Sequence, residues 1–154
     1  MIKIKEGNLN NRLHQNALFT LLNVYIKDKM GGGTPIKIAS KKKLINGLSK
    51  TGNSLIYFAL YEKKFVGMAI CFTSFATFKL KKLINIHDLI VLPEYRNKKI
   101  GKNLMNHIEK KAKQKGFGKL TLEVREDNIN AKHLYKSLGY NDCNPPMLFW
   151  IKNI

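Results

Sequence analysis

A short basic segment of the chain has the composition of an anion-binding loop. Residues 95–101 read Tyr-Arg-Asn-Lys-Lys-Ile-Gly and carry three basic side chains before a glycine. The apolar, β-branched run at residues 84–92 predicts a buried strand, which Pro93 ends because proline has no N–H for a ladder. Apolar residues at helical spacing follow: Ile100, Leu104, Ile108 and Ala112. Backbone N–H groups of such a loop, together with the positive end of a helix dipole, bind anions.

Two blocks of the sequence resemble the GNAT acyltransferase superfamily. The first, Arg96-x-x-Lys99-x-Gly101, resembles that family's pyrophosphate-binding loop, except that Lys99 stands where the family has its first loop glycine. A left-handed backbone at this lysine would cost on the order of 1 kcal/mol. The second block runs from Asn128 to Tyr140 as Asn-x-x-Ala-x-x-Leu-Tyr-x-x-Leu-Gly-Tyr, and it resembles the helix that places an Asn and a Tyr beside a thioester sulfur. The resemblance implies an acetyl-CoA-dependent N-acetyltransferase.

The resemblance also implies where acetyl-CoA would bind. Backbone N–H groups of the loop would hold the pyrophosphate, with Arg96, Lys98 and Lys102 as the positive surround. The strand before the loop would pair with the pantetheine arm, and a bulge would separate it from the next strand, leaving one N–H facing the thioester oxygen. Asn128 would contact the pantetheine, or it would only cap a helix. The residues assigned to cofactor binding are Leu89, Ile90, Val91, Arg96, Asn97, Lys98, Lys99, Ile100, Gly101, Lys102 and Asn128.

The same resemblance suggests the catalytic groups. Tyr135 is the candidate acid for the leaving thiolate, because a phenol (~10) and a thiol (~8.5) have nearly matched pKa values; its alternative role is core packing. For the base, diamine acetyltransferases have a glutamate where His87 stands, followed by the aspartate that Asp88 matches. Strand alternation predicts that these two face opposite sides, so that one lines the cleft. We prefer His87 because imidazole titrates near neutral pH, and Glu123 is a third candidate.

Composition predicts one domain over residues 1–154. Hydrophobic residues make up 44% of the chain, which is enough for a core. No apolar run approaches the ~20 residues of a membrane helix and the first residues lack a signal-peptide core, so we expect a cytoplasmic protein without membrane contact. Cys71 and Cys143 have no second Cys or His at metal spacing, so we expect neither a disulfide nor a bound metal.

The net charge of +18 permits a second interpretation. Basic side chains neutralise phosphates, so a nucleic-acid- or ribosome-associated module without catalysis is the alternative function, and a coenzyme A sensor is a third. Only three of the 28 basic residues are arginine, however, and the lysines are scattered, which favours ordinary solvation over an RNA platform. The expected partners are therefore acetyl-CoA and an amine acceptor, and a homodimer could form through a final apolar strand.

The remaining pattern, with the topology that the resemblance implies, predicts an α/β fold with a mixed, mostly antiparallel sheet and helices on both faces. The glycine-rich residues 30–35 are either a substrate loop or a mobile connector. Residues 72–78 are an aromatic cluster that we assign mainly to the core, with a wall of the acceptor pocket as the alternative. Predicted strands cover residues 1–4, 54–61, 64–78, 120–124 and 147–151. Predicted helices cover residues 12–27, 40–48 with Ser40 as the N-cap, and a segment capped by Asp127 or Asn128 that runs to Leu138.

Overall fold

A central sheet of five strands organises the protein. The computed structural model describes all 154 residues. The strands are β1 (Ile2–Glu6), β2 (Ser54–Tyr61), β3 (Lys64–Ala76), β4 (Lys81–Val91) and β5 (Lys119–Leu122). They lie side by side in chain order, with antiparallel pairing from β1 to β4 and parallel pairing between β4 and β5. The mixed, mostly antiparallel sheet that the resemblance implies is confirmed.

Helices cover both faces of this sheet. On one face lie α1 (Arg12–Lys27) and α2 (Lys41–Lys50), and on the other lie α3 (Ile100–Gln114) and α4 (Ile129–Ser137). Asn11 begins α1, where its side-chain oxygen accepts hydrogen bonds from the backbone N–H groups of Leu13 (2.8 Å) and His14 (3.2 Å). Ser40 is the N-cap residue of α2, as predicted, but its side chain makes no capping hydrogen bond. None of the helices combines the length and the apolar character needed to span a bilayer.

Each face of the sheet packs its own apolar cluster. Under α3, Leu104, Met105 and Ile108 are at most 1% exposed and pack with strand residues such as Ile84. Under α1, the cluster contains Leu18, Leu21, Phe58, Met68 and Ile90. Full burial of one such side chain stabilises the fold by roughly 1.5–3 kcal/mol. No charged residue is fully buried.

Two predicted strands differ from the structure. Residues 147–151 form no strand, and their side chains are 76–85% exposed. β-prone composition is not sufficient there, because a strand also needs a pairing partner, and no backbone hydrogen bond joins residues 141–154 to the rest of the chain. β3 ends at Ala76, so Phe78 lies beyond the strand and is 102% exposed, and Phe75, at the end of the strand, is 56% exposed. Phe72, within the strand, does pack against the cluster under α1.

Candidate active site

The central sheet opens between β4 and β5. The two strands pair only from Leu83 to Ile86, the last registered pair being Ile86 with Leu122. Residues 88–91 of β4 continue to pair with β3 on the other side but have no partner toward β5. A cavity of about 720 Å³ fills the opening. A strand with one free edge therefore forms a wall of this cavity.

A β-bulge in β4 lies at this opening. Ile70 pairs with Asp88 whereas Cys71 pairs with Ile86, so His87 is the extra residue on β4. The imidazole ring lies 5.4 Å from the ring of Phe72, which shares a sheet face with Ile70. His87 and Asp88 therefore lie on the same face, in contrast to the alternation expected from the sequence. The bulge that only the resemblance implied is present.

His87 and Asp88 differ in access to the cavity. His87 is exposed and lines the cavity, whereas Asp88 does not. Burial raises the pKa of Asp88 above its ordinary value, and the neighbouring His87 opposes this rise.

The basic loop presents unpaired backbone donors to the cavity. None of the six N–H groups at residues 97–102 donates to another group of the chain. Asn97 (φ 62°) and Lys99 (φ 58°) have left-handed backbones, which turn the chain into the first turn of α3. The left-handed conformation considered for Lys99 is therefore present. Gly101 follows in the helix, where a Cβ would lie 3.2 Å from Leu134 Cδ2 of α4.

Arg96 connects this loop to the end of α1. Its Nη2 donates to Asp28 Oδ2 at 2.6 Å, and its Nε donates to the carbonyl oxygen of Val91 at 3.2 Å. The guanidinium, with a further hydrogen bond from the N–H of Met30, holds the pKa of Asp28 below its usual range. Asp28 and Arg96 both line the cavity. The positive charge of the loop is thus partly balanced by a carboxylate from the opposite wall.

Tyr135 of α4 and Asn128, the residue just before that helix, both line the cavity. Burial raises the pKa of Tyr135 to about 12, with a smaller contribution from Tyr25 of α1. The phenol therefore keeps its proton at neutral pH. Asn128 Oδ1 accepts a hydrogen bond from the N–H of Ala131 at 3.2 Å, so this residue does cap the helix. Its amide nitrogen makes no hydrogen bond within the chain and remains available to a ligand.

Glu123 lies on the β5 side of the opening. The Asn85 side-chain amide nitrogen donates to Glu123 Oε1 at 3.1 Å and to Oε2 at 3.2 Å, and it lies 3.2 Å from Thr121 Oγ1. These contacts hold the carboxylate at the point where β4 and β5 separate. Glu123 lines the cavity, so its carboxylate is a candidate general base there in addition to His87.

The structure gathers most, but not all, of the residues predicted from the sequence. Asp88 and Lys98 do not line the cavity; the Lys98 ammonium lies 5.0 Å from the ring centre of Tyr95 instead. Those that do line it are His87, Leu89, Ile90, Val91, Arg96, Asn97, Lys99, Ile100, Gly101, Lys102, Asn128 and Tyr135. No group of three or more His, Cys, Asp or Glu side chains is arranged as a metal site requires.

Sequence reasoning missed the contribution of α1 and the residues that follow it. The missed cavity residues here are Val24, Tyr25, Asp28 and Lys29, whereas Met30, which also lines the cavity, belongs to the glycine-rich residues 30–35 considered as a substrate loop. The one available signal was the glycine run at residues 31–33. A Cβ at Gly31 would collide with the carbonyl of Tyr25, and the N–H of Gly31 donates to the carbonyl of Asp28 at 2.9 Å. The glycines thus fold the chain back on α1, and neither they nor residues 72–78 line the cavity.

Comparisons with known proteins agree with this geometry. The model of the Acetyltransferase (GNAT) family matches residues 25–140. The Uncharacterized N-acetyltransferase YhfO of Bacillus subtilis (strain 168) is 30% identical over 89 residues, which are 58% of this chain and 60% of that protein. The Thialysine N-epsilon-acetyltransferase of Bos taurus is 36% identical over 77 residues, 50% of this chain and 45% of that protein. The matched segments thus span about half the length of these relatives.

One solved structure supports the fold over almost the whole chain. The crystal structure of a probable acetyltransferase matches with a TM-score of 0.84 and 22% identity, covering 99% of this chain and 98% of that one. At this level of identity the likeness concerns the fold alone.

Proposed function

This chain belongs to the acetyltransferase (GNAT) family, and from that premise we propose that it transfers an acetyl group from acetyl-CoA to a primary amine of a small molecule or a protein. The observation that carries the proposal is the row of six unpaired backbone N–H groups at residues 97–102, beside a cavity that contains Tyr135. Such a row of donors at a helix start suits a diphosphate. A protonated phenol in the same cavity suits a thiolate leaving group.

The residues present fit acetyl-CoA. Arg96, Lys99 and Lys102 line the cavity and add positive charge to the backbone donors of the loop. The free edge of β4 at residues 89–91 offers backbone groups to an extended arm that carries amides. A backbone N–H of this edge would stabilise the negative charge that develops on the thioester oxygen. The thioester of acetyl-CoA itself would supply the activated acetyl group.

Tyr135 would act on the leaving sulfur. With its pKa raised to about 12, the phenol is a weaker acid than a coenzyme A thiol near ~8.5. Full proton transfer to the thiolate is therefore unfavourable, which differs from the nearly matched transfer expected from sequence. Donation of a hydrogen bond from the hydroxyl to the developing thiolate remains favourable and lowers the barrier to its departure.

A base must remove the proton of the acceptor ammonium, whose pKa is near ~10.4. We propose His87, because the bulge presents its ring to the cavity and because imidazole accepts protons near neutral pH. Glu123, which Asn85 holds at the β5 wall, is the alternative base. Asp28 and Glu123 would also attract a cationic amine into a protein whose overall charge repels it. The bovine relative, by its name, acetylates an Nε amine, which agrees with an amine acceptor.

Calorimetric titration of acetyl-CoA into the purified protein tests the donor site. We expect micromolar affinity for the wild type and a loss of at least tenfold in Lys102→Glu, a substitution of an exposed side chain at the cavity. Lys110→Glu makes the same charge change at an exposed position of α3 outside the cavity, and it should bind as the wild type does. Equal binding by both variants, or none by the wild type, would contradict the proposal.

Turnover is then tested by thiol release in the presence of a panel of primary amines. Tyr135→Phe should bind acetyl-CoA normally while kcat falls by roughly 10²-fold or more. Binding without turnover on any amine would instead identify a coenzyme A sensor, the non-catalytic alternative.

A further inference from the structure

The hairpin formed by β3 and β4 ends in a tip that projects beyond the rest of the sheet. β3 pairs with β2 only as far as Phe72, and β4 pairs with β5 only from Leu83 onward. The residues in between, 74–82, form the hairpin tip, where β3 and β4 pair with each other alone. None of these residues lines the cavity between β4 and β5. The hairpin tip is therefore a separate surface, at the opposite end of β4 from the basic loop.

Large apolar side chains are exposed on the hairpin tip. Phe75 is 56% exposed, Phe78 is 102% exposed and Leu80 is 76% exposed. Leu80 also has a left-handed backbone (φ 50°), a conformation that destabilises a residue with a Cβ. Neither the turn nor the core therefore accounts for a leucine at this position. Clusters of exposed apolar side chains commonly mark a site of interaction.

The hairpin tip also carries positive charge that no carboxylate balances. Its three lysines, all of them exposed, are Lys79, Lys81 and Lys82. None of the three forms an ion pair. Residues 63–87 contain no Asp or Glu, so the charge stays unbalanced along the whole hairpin.

β5 adds a further lysine beside the hairpin tip. Lys119 is exposed and pairs in register with Leu83, the residue where the tip joins the sheet. The chain approaches closely here because Gly118 has no side chain: a Cβ at this glycine would lie 2.8 Å from Lys81 Cβ. Residues 110–122 again contain no acidic side chain. Exposed apolar side chains are thus surrounded by lysines alone.

We propose that the hairpin tip docks on an anionic lipid surface, with Phe78 and Leu80 inserted among the headgroups and the lysines on the lipid phosphates and carboxylates. An apolar apex surrounded by lysines matches both layers of such a surface. The boundary of the acyl chains accepts apolar side chains, and the anionic headgroups attract cations. The proposal does not depend on the proposed acetyl transfer.

The composition of the hairpin tip favours lipid over nucleic acid as the partner. Single-stranded RNA also attracts lysines, but its bases stack on planar side chains, whereas the apex includes the aliphatic Leu80 and the tip has no arginine. The expectation of no membrane contact rested on the lack of an apolar run of spanning length and of a signal-peptide core. Docking by a surface hairpin requires neither of these features.

Co-sedimentation with extruded vesicles at about 0.1 M salt tests the docking. The wild type should bind vesicles of phosphatidylcholine and phosphatidylserine, and it should bind phosphatidylcholine vesicles about tenfold more weakly or less. Phe78→Ser should weaken binding to the anionic vesicles by about tenfold or more, because the fully exposed ring of the tip is lost. Phe149→Ser makes the same change at an exposed phenylalanine outside the tip and should bind as the wild type does.

Two double variants test the charge of the hairpin tip. Lys81→Glu combined with Lys82→Glu should weaken binding to anionic vesicles by about tenfold or more. Lys42→Glu combined with Lys43→Glu makes the same change at two adjacent exposed lysines of α2 and should weaken it by less than about threefold. The urea midpoint of each variant should equal that of the wild type, because all of these side chains are exposed. A loss of binding would then not reflect unfolding.

Tryptophan fluorescence locates the contact. Trp150 is the one tryptophan of the chain and lies outside the hairpin tip. In Phe78→Trp combined with Trp150→Phe, anionic vesicles should shift the emission to shorter wavelength, whereas the emission of the wild type should not shift. A shift in the wild type without one in the double variant would place the contact in the residues around Trp150 and overturn the proposal.

Other results would also overturn the proposal. These are a wild type that does not bind anionic vesicles, and an equal loss of binding in Phe78→Ser and Phe149→Ser. A wild type that binds a single-stranded RNA oligonucleotide but no vesicle, and that loses the RNA in Phe78→Ser, would assign the hairpin tip to nucleic acid instead.

Discussion

Arg96 and Asp28 form an ion pair of 2.6 Å between the basic loop and the residue that follows α1. The Asp28 side chain is only 17% exposed, so solvent screens this pair less than it screens most surface pairs. The pair joins the loop proposed to bind acetyl-CoA to the wall formed by Lys29 and Met30. A diphosphate at the loop would therefore share Arg96 with a carboxylate of the chain itself.

Removing this carboxylate should strengthen acetyl-CoA binding. In Asp28→Asn, the negative charge beside the loop is lost while a side-chain oxygen remains for the N–H of Met30. We expect Kd for acetyl-CoA to fall by about three- to tenfold, or roughly 1 kcal/mol. Glu109→Gln makes the same charge change on α3, outside the cavity, and should leave Kd unchanged. Weaker binding by Asp28→Asn would mean that the pair orients Arg96 rather than competing for it.

The left-handed backbone of Lys99 should lower the stability of the fold. The left-handed conformation destabilises a residue that has a Cβ by about 1–2 kcal/mol. Glycine avoids this strain, but its greater loss of backbone entropy on folding destabilises the protein by about 0.5–1 kcal/mol. Lys99→Gly should therefore raise the free energy of unfolding by about 0.5–1 kcal/mol in urea titrations. Lys99→Ala, which removes the charge but keeps the Cβ, should give no such gain. An equal gain in both variants would point to charge repulsion as the cause.

The pH dependence of turnover should identify the base. With His87→Gln, we expect kcat to fall by about 10²-fold at pH 7 and to recover toward pH 10, where the amine loses its proton without help. With Glu123→Gln, the loss should be less than tenfold, because the side chain keeps a partner for Asn85. The reverse order of the two variants would assign the base to Glu123.

His107 should make the fold less stable in mild acid. Its Nε2 is buried without a hydrogen-bond partner, and its ring lies 5.5 Å from that of Tyr57. Burial lowers the pKa of His107, and the positive charge of Lys111 lowers it further. As pH falls below ~6.5, the unfolded chain binds a proton that the folded imidazole resists, so stability declines until the folded form also protonates.

The urea midpoint at pH 7.5 and pH 5.0 measures this decline. His107→Phe keeps a ring against Tyr57 but cannot titrate, so it should show a smaller difference between the two midpoints than the wild type. His133→Gln, at an exposed histidine of α4, should keep the difference of the wild type. An unchanged difference in His107→Phe would place the pH-sensitive group elsewhere.

Local chemistry in the sequence determined most of the helices and strands and the basic loop before Gly101. The spacing of Leu104 and Ile108 predicted α3, because one apolar face must be buried against the sheet. Pro93 predicted the end of β4, and the basic residues before Gly101 predicted a loop with donors for an anion. These features depend on neighbouring residues alone, so they can be read along the chain.

Tertiary structure alone decided which side chains meet at and beside the cavity. The ion pair of Arg96 with Asp28 joins residues 68 positions apart, and the contact of Asn85 with Glu123 joins residues 38 apart. Strand alternation placed His87 and Asp88 on opposite faces, which is wrong because the bulge arises from pairing with β3, not from the local sequence. The segment 147–151 had the composition of a strand but found no partner in its own fold. Strand pairing and packing join residues that are distant in sequence. Periodicity and composition can therefore predict which residues are buried or paired, but not which residues they meet.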